Sequence, residues 1–379
     1  MIIKPGYDVA ITGGGLAGLS LAIQCARAGY STALFEKEKY PFHKVCGEYI
    51  SFENWNYLQD LGIPLSDMNL PMINRLLISS PDGRSIESQL PLGGFGISRY
   101  LIDNLLFQIA SKEGVTVFQQ TKVNDIIYKS DCFEITSSKG TFTCRIAAGS
   151  FGKRSNIDIR WKRKFAQHNH GKLSDFIGIK YHIRYASETD LIALHNFENG
   201  YCGISKIEDD KSCLCYLTRG VNLRASVNDI KQMEKTILMK NPFLKDIFLN
   251  AEFLFDKPVT ISRISFERKS QVENHVLLIG DAAGLIAPLC GNGMSMALHA
   301  AKLAFNEINL YQKGMIDRYE MEKHYEQEWE KHFAKRLVAG RMIQGFFGNP
   351  AMSNLLLRSV KPFPRLIRKL IRQTHGTPY

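Results

Sequence analysis

The stretch Gly13-Gly14-Gly15-Leu16-Ala17-Gly18 constrains the fold of this chain more than any other, because it joins a strand-like segment, "YDVAIT", to a helix-like one, "LSLAIQCARAG". In that context a G-x-G-x-x-G pattern lets the backbone turn tightly and approach a pyrophosphate, whose charge then sits at the helix amino end. Gly29 is placed to end the helix, and "STALFEKE" supplies a second buried strand, so the opening predicts a βαβ unit. Glu36, eighteen residues beyond Gly18, closes that strand where a carboxylate can accept hydrogen bonds from both ribose hydroxyls of an adenosine. The residues assigned to a dinucleotide by this reading are Gly13, Gly15, Leu16, Ala17, Gly18, Glu36 and Lys37.

The loop by itself does not separate NAD from FAD. A second block does: "LLIGDAAGLIAPLCGNGMSMALHAAKLA", Leu277 to Ala304, couples a Gly-Asp turn after a buried strand with a Pro-x-x-Gly-x-Gly stretch that opens a long helix. With both blocks in order, the chain resembles the FAD-dependent oxidoreductases of the p-hydroxybenzoate hydroxylase fold, and within them the geranylgeranyl reductase-like branch. The resemblance implies that Gly280 and Asp281 meet the ribityl chain of FAD. It also implies that Pro288, Gly291, Asn292, Gly293 and Met294 bring the backbone to the pyrimidine end of the flavin, where a helix amino terminus stabilises negative charge. Arg99, in "GISRYLIDNLL", and Gly149, in "AAGSFGKRS", match cofactor segments of the same family.

The remaining pattern divides the chain. "INRLLISSPDGRSIESQL" is two alternating runs around Ser-Pro-Asp-Gly, a hairpin signal. Ser98 is placed to cap a helix carrying Leu101, Leu105 and Ile109. Strand-rich sequence fills Arg160 to Asp256, with one helical piece, "SVNDIKQMEKTILMK". The fold class expected is α/β: a Rossmann-like FAD-binding domain from residues 1–71, 99–158 and 257–318, an interleaved antiparallel β-sheet substrate domain from 72–98 and 159–256, and a helical C-terminal region, 319–379.

"YPFHKVCGEYIS", Tyr40 to Ser51, follows Glu36 and therefore crosses toward the flavin, and "KVCGE" resembles the cysteine-containing loop of the reductase branch. If extended, it projects Lys44, Cys46 and Glu48 to one side, where Lys44 could lower the thiol pKa. Cys46 can donate a proton opposite hydride transfer or pack against the ring, and Glu48 and Tyr49 are alternative donors; the residues leave these readings open. In "NGYCGISKIEDDKSCLCYL" only Tyr201 and Gly203 match the aromatic-rich motif that the reductases hold over their substrate, so Tyr201 joins the candidate site without fixing the substrate.

Composition narrows the function further. The net charge of +11 raises a nucleic-acid-associated flavoprotein as an alternative, but no aromatic stacking cluster accompanies the basic residues, and no nucleic acid is expected. Eight cysteines without C-x-x-C pairs give no metal spacing, and no apolar run reaches the ~18 residues of a spanning helix. A cytoplasmic location is expected. The basic stretch "LLLRSVKPFPRLIRKLIRQ" could lie on an anionic membrane or dock its apolar face on the protein. Ala148-Gly149 stands where family hydroxylases carry Asp-Gly, and Trp55, Trp161 and Trp329 do not form the W-x-W-x-I-P motif of its halogenases. The first expectation is therefore a reductase or dehydrogenase moving hydride between FAD and an isoprenoid- or polyketide-like molecule. An NAD(P)H-dependent monooxygenase of an aromatic substrate is the alternative. NAD(P)H would act as a transient electron donor, since no second glycine-rich βαβ unit is visible.

Overall fold

The computed structural model describes residues 6–167, 175–287, 291–345, 348, 353–354, 371–372 and 376–379. The chain alternates between two sheets. It enters the first with β1 (Tyr7–Thr12) and β2 (Thr32–Phe35), then leaves for β3 (Tyr49–Ser51), β4 (Met72–Ser79) and β5 (Ser85–Gly96) of the second. It returns for β6 (Thr116–Phe118), β7 (Val123–Lys129), β8 (Cys132–Ser137) and β9 (Gly140–Gly149). A second excursion adds β10 (Phe176–Arg184), β11 (Leu191–Phe197), β12 (Gly200–Lys206), β13 (Ser212–Arg219), β14 (Glu252–Phe253) and β15 (Val259–Ile264), before β16 (Val272–Glu273) and β17 (Val276–Leu278) complete the first sheet.

The centre of the first sheet, β17-β9-β1-β2-β6, is parallel throughout. Its inner strands are largely buried, and a layer of helices packs against it: Leu16–Arg27 packs between Arg99–Lys112 and Gly293–Gln312, and Arg318–Gln344 packs on the last of these. Tyr325, buried on that outer helix, donates to the Leu278 carbonyl at 2.6 Å. Ser98 caps the Arg99–Lys112 helix, accepting from the Leu101 N–H at 3.1 Å, and Gly29 takes the left-handed conformation just beyond the first helix.

The second sheet runs β14-β10-β13-β12-β11-β4-β5-β3, with β15 on β10, and is antiparallel except where β11 meets β4. Two short strands that the sequence division left with the cofactor domain, β3 and β15, pair here instead. The turn between β4 and β5 is a five-residue connection, Ser80 to Arg84, with Gly83 left-handed and the Ser80 N–H bonded to the Arg84 carbonyl. The helical piece expected at Ser226–Lys240 shortens to Ile230–Thr236 and a single turn at Leu238–Lys240. Two more helices, Gly220–Ala225 and Pro242–Asn250, went unread, although Asn241 as N-cap with Pro242 at the first position is a clear start signal. Among the described residues no helix is long and apolar enough to cross a membrane. Most of the basic C-terminal stretch lies outside the described residues.

Candidate functional site

The site begins where β1 ends. Gly13 is left-handed, and a Cβ on it would lie 2.2 Å from the Ser150 carbonyl oxygen. On Gly18 a Cβ would lie 2.0 Å from the Gly13 oxygen, so this glycine serves helix-to-strand packing. Glu36, 6% exposed, accepts from the Gly14 N–H at 2.8 Å and the Glu38 N–H at 3.0 Å. A carboxylate has about four acceptor positions, which leaves capacity for ribose hydroxyls. Lys37 is exposed beside it at the cavity rim.

Next to the glycine loop two cations share one anion. Asp103, 1% exposed, receives Arg99 Nε and Nη2 at 2.7 Å each and lies 3.0 Å from Lys44 Nζ. Burial alone would raise the Asp103 carboxyl, but Arg99 and Lys44 overcome it and hold the group below its ordinary value. One positive charge is left over beside Gly15, where an added Cβ would stand 3.5 Å from Arg99 Nη2 and 3.7 Å from Lys44 Nζ. Tyr40 OH and Lys44 Nζ both donate to the Gly14 carbonyl, at 2.6 and 3.2 Å, fixing the loop. The helix from Leu16 has no side-chain cap, so its first N–H groups face this cradle.

The Gly280–Ala282 turn is held from behind. Three successive carbonyls are each taken by a buried side chain: Asp281 by Lys269 Nζ at 2.8 Å, Ala282 by Arg163 Nη1 at 3.1 Å, and Ala283 by Gln271 Nε2 at 3.1 Å. Lys269 also donates to the Lys153 carbonyl at 2.9 Å, tying the turn to the loop after β9. Its burial lowers the ammonium pKa to about 8, although Asp158 and Asp281 oppose the shift.

The crossing loop departs from the extended arrangement. Glu48 is left-handed, with φ 57°, which turns its side chain away from those of Lys44 and Cys46. Its fully buried carboxylate is bound by Lys180 Nζ, by His182 Nε2 at 2.6 Å and by the Arg99 N–H at 2.8 Å. Burial would raise the Glu48 carboxyl, but Lys180 and His182 outweigh it and keep the group below its ordinary value. The expectation of Glu48 as a proton donor therefore gives way to a fixed anion joining loop to second sheet. Lys44, engaged by Asp103, is not directed to the thiol. Cys213 Sγ donates to the Cys46 carbonyl at 3.2 Å, and Ser205 Oγ to the Gly47 carbonyl at 3.4 Å, pinning the loop beneath β12 and β13. His43 packs on Tyr100, Phe255 and His182, and burial lowers it to about 4.

One cavity of about 1000 Å³ connects these parts. At one end lie Gly13, Gly15, Glu36 and Lys37; in the middle Lys44, Cys46, Arg99, Gly280 and Asp281; at the other Tyr201, Gly203, Leu217, Gly291, Gly293 and Met294. The volume is at the upper limit for one small-ligand pocket, roughly 300–1,000 Å³, and suits an elongated cofactor with a second molecule at its end. Gly149 does not line it: a Cβ there would lie 2.6 Å from the Phe151 ring and 2.7 Å from Leu278, so the expected cofactor contact is a packing position. Asn292 is fully buried at the N-cap of the Gly293–Gln312 helix, behind the wall. Pro288 lies outside the described residues. Sequence reasoning missed Asp103, Lys269, Arg163, Lys180 and His182; of these only Asp103 had a local signal, four residues after Arg99 on one helix face.

Comparison with known proteins agrees with this geometry. The family model for an FAD binding domain matches residues 8–43. Conditioned medium factor receptor 1 of Dictyostelium discoideum is 22% identical over 361 residues, covering 86% of this chain and 68% of the relative. A digeranylgeranylglycerophospholipid reductase of Methanococcus vannielii is 21% identical, covering 87% of this chain and 84% of its own. Among solved structures, the flavin-dependent brominase Bmp2 superposes with a TM-score of 0.79 at 19% identity, over 97% of this chain and 93% of that one. The class is thus a flavoprotein with the p-hydroxybenzoate hydroxylase fold. More particularly, the chain is an FAD-dependent oxidoreductase.

The residues present fit FAD. The cradle at Gly15 would take the diphosphate between Lys44, Arg99 and the first helix, Glu36 the adenosine ribose, and Asp281 the ribityl chain.

Proposed function

We propose that the protein is a reductase or dehydrogenase that moves a hydride equivalent between FAD and a carbon of an apolar small molecule, with NAD(P)H as a transient electron donor. One observation carries the reading: the same cavity that starts at the dinucleotide loop ends on an apolar face of the second sheet, lined by Leu194, Tyr201 and Leu217. Bound FAD supplies two-electron chemistry. The chain's residues do the rest. Lys44 and Arg99 bind the diphosphate, the amino end of the Gly293–Gln312 helix favours negative charge on the ring, and the β11–β13 face excludes water. Cys46, partly buried on the cavity wall, holds the proton needed at the substrate carbon.

The test is anaerobic turnover with NADPH or NADH across isoprenoid and polycyclic aromatic acceptors. Reduced product formed without oxygen is the expected result. Substrate-stimulated oxygen consumption with labelled oxygen in the product would make the protein a monooxygenase, and a halide-dependent product would make it a halogenase. Cys46→Ser should keep FAD affinity within about twofold and lose turnover; unchanged turnover removes the thiol from the chemistry.

A further inference from the structure

Six glycines lie in strands of the second sheet among the described residues, and five have a structural reason to be glycine. Gly93 is left-handed; Gly94, Gly96, Gly178 and Gly200 would place a Cβ at 2.3, 1.8, 2.9 and 2.4 Å from their nearest neighbours. Gly203 has neither reason. Its backbone is not left-handed, and a Cβ would meet Leu194 Cδ2 at 3.5 Å and the Cys215 carbonyl oxygen at 3.7 Å, ordinary contact distances. Glycine in a strand interior weakens the strand and marks a bulge, a bend or a close approach of a ligand or another backbone; the register at Gly203 is unbroken on both sides, so no bulge accounts for it.

Gly203 lines the cavity. In register it stands between Leu194 on β11 and Cys215 on β13, with Tyr201 and Ser205 before and after it on the same face. Backbone to backbone, β11 and β13 stand two strand spacings apart across Gly203, roughly 9.6 Å, and Tyr201 and Ser205 lie four residues apart along it, roughly 13 Å, with the Leu194 side chain forming one wall. The floor of this gap is sheet backbone whose hydrogen bonds are already made. Such a floor offers a flat, apolar surface.

We propose that Gly203 is a specificity-determining residue, whose missing side chain opens a slot that receives a flat ring system of the substrate against β12. This rests on the reading of the cavity's apolar end as the substrate site. FAD affinity is measured first, by equilibrium dialysis; wild-type protein that binds no FAD overturns the functional reading, separately from the slot. The slot is tested by dialysis of the FAD-loaded protein against 2-naphthol, a flat fused ring, and farnesol, a branched chain. Gly203→Leu should weaken 2-naphthol at least tenfold while FAD affinity changes less than twofold. Gly203→Ala should leave the melting temperature unchanged or raise it, and weaken 2-naphthol by a smaller factor. The proposal is overturned if wild type binds farnesol but not 2-naphthol, if it binds neither, if Gly203→Leu leaves 2-naphthol affinity unchanged, or if Gly203→Ala lowers the melting temperature by several degrees.

Discussion

Glu48 is a residue whose chemistry is used up by its position. Its carboxylate meets a lysine, a histidine and a helix-terminal N–H with no solvent contact, so its proton is unavailable and its charge is indispensable. Glu48→Gln leaves Lys180 buried without its counter-ion and should cost about 3–5 kcal/mol, read by urea unfolding. The pH dependence has a definite sign. Because the folded-state pKa of Glu48 is depressed, its contribution is complete above the ordinary value of 4.5 and is lost as pH falls through the lower, folded one. Glu48→Gln should therefore flatten the acid side of the stability curve. Lys269 gives a pH slope of the same sign at the alkaline end, because protonation is disfavoured in its buried site. Its pKa falls from 10.5 to about 8 on folding, so its contribution to stability rises as pH climbs through that window, by an amount on the order of 3 kcal/mol. The unfolding free energy of wild type minus that of Lys269→Met should increase between pH 7.5 and 10, and the variant, its Asp281 turn loosened, should bind FAD more weakly.

At the scale of elements, the glycine loop is fastened by the segment that follows it. A Cβ on Gly14 would stand 1.8 Å from Tyr40 OH, and that hydroxyl already holds the Gly14 carbonyl. Gly14→Ala should thus impair FAD binding, and adding Tyr40→Phe should restore part of it, since the hydroxyl is the closest obstacle; flavin fluorescence titration of single and double variants measures the coupling. Elements of this kind were readable where the signal is local: the loop with Glu36, the Ser98 cap, the Gly-Asp turn. Tyr49–Ser51 was not, because three residues carry no period, and their pairing partners, Gly94 to Gly96, lie across another hairpin strand. Nor was the Glu48–Lys180 pair, whose members are 132 positions apart and look, one by one, like surface charges. Gly149 was misread for a related reason: a glycine in a family motif does not reveal whether a ligand or a phenylalanine occupies the space beside it.

At the scale of the molecule, the chain crosses between sheets repeatedly, and the crossings form the walls of the cavity. Separate unfolding of the substrate sheet would break the buried Glu48–Lys180–His182 cluster and the Cys213 and Ser205 bonds to the crossing loop together. Tryptophan fluorescence, far-ultraviolet ellipticity and release of FAD should therefore share one thermal midpoint; two resolved transitions would show the sheets to be independent. The interleaving also bears on biogenesis. A nascent chain that has emerged as far as β9 carries the loop, Glu36 and Arg99, yet Asp281 and the Gly293–Gln312 helix still lie ahead in the polypeptide. The second sheet waits for β15 and the first for β16 and β17, so cofactor loading belongs to the end of synthesis, and a cell short of flavin would accumulate full-length chains rather than half-made ones.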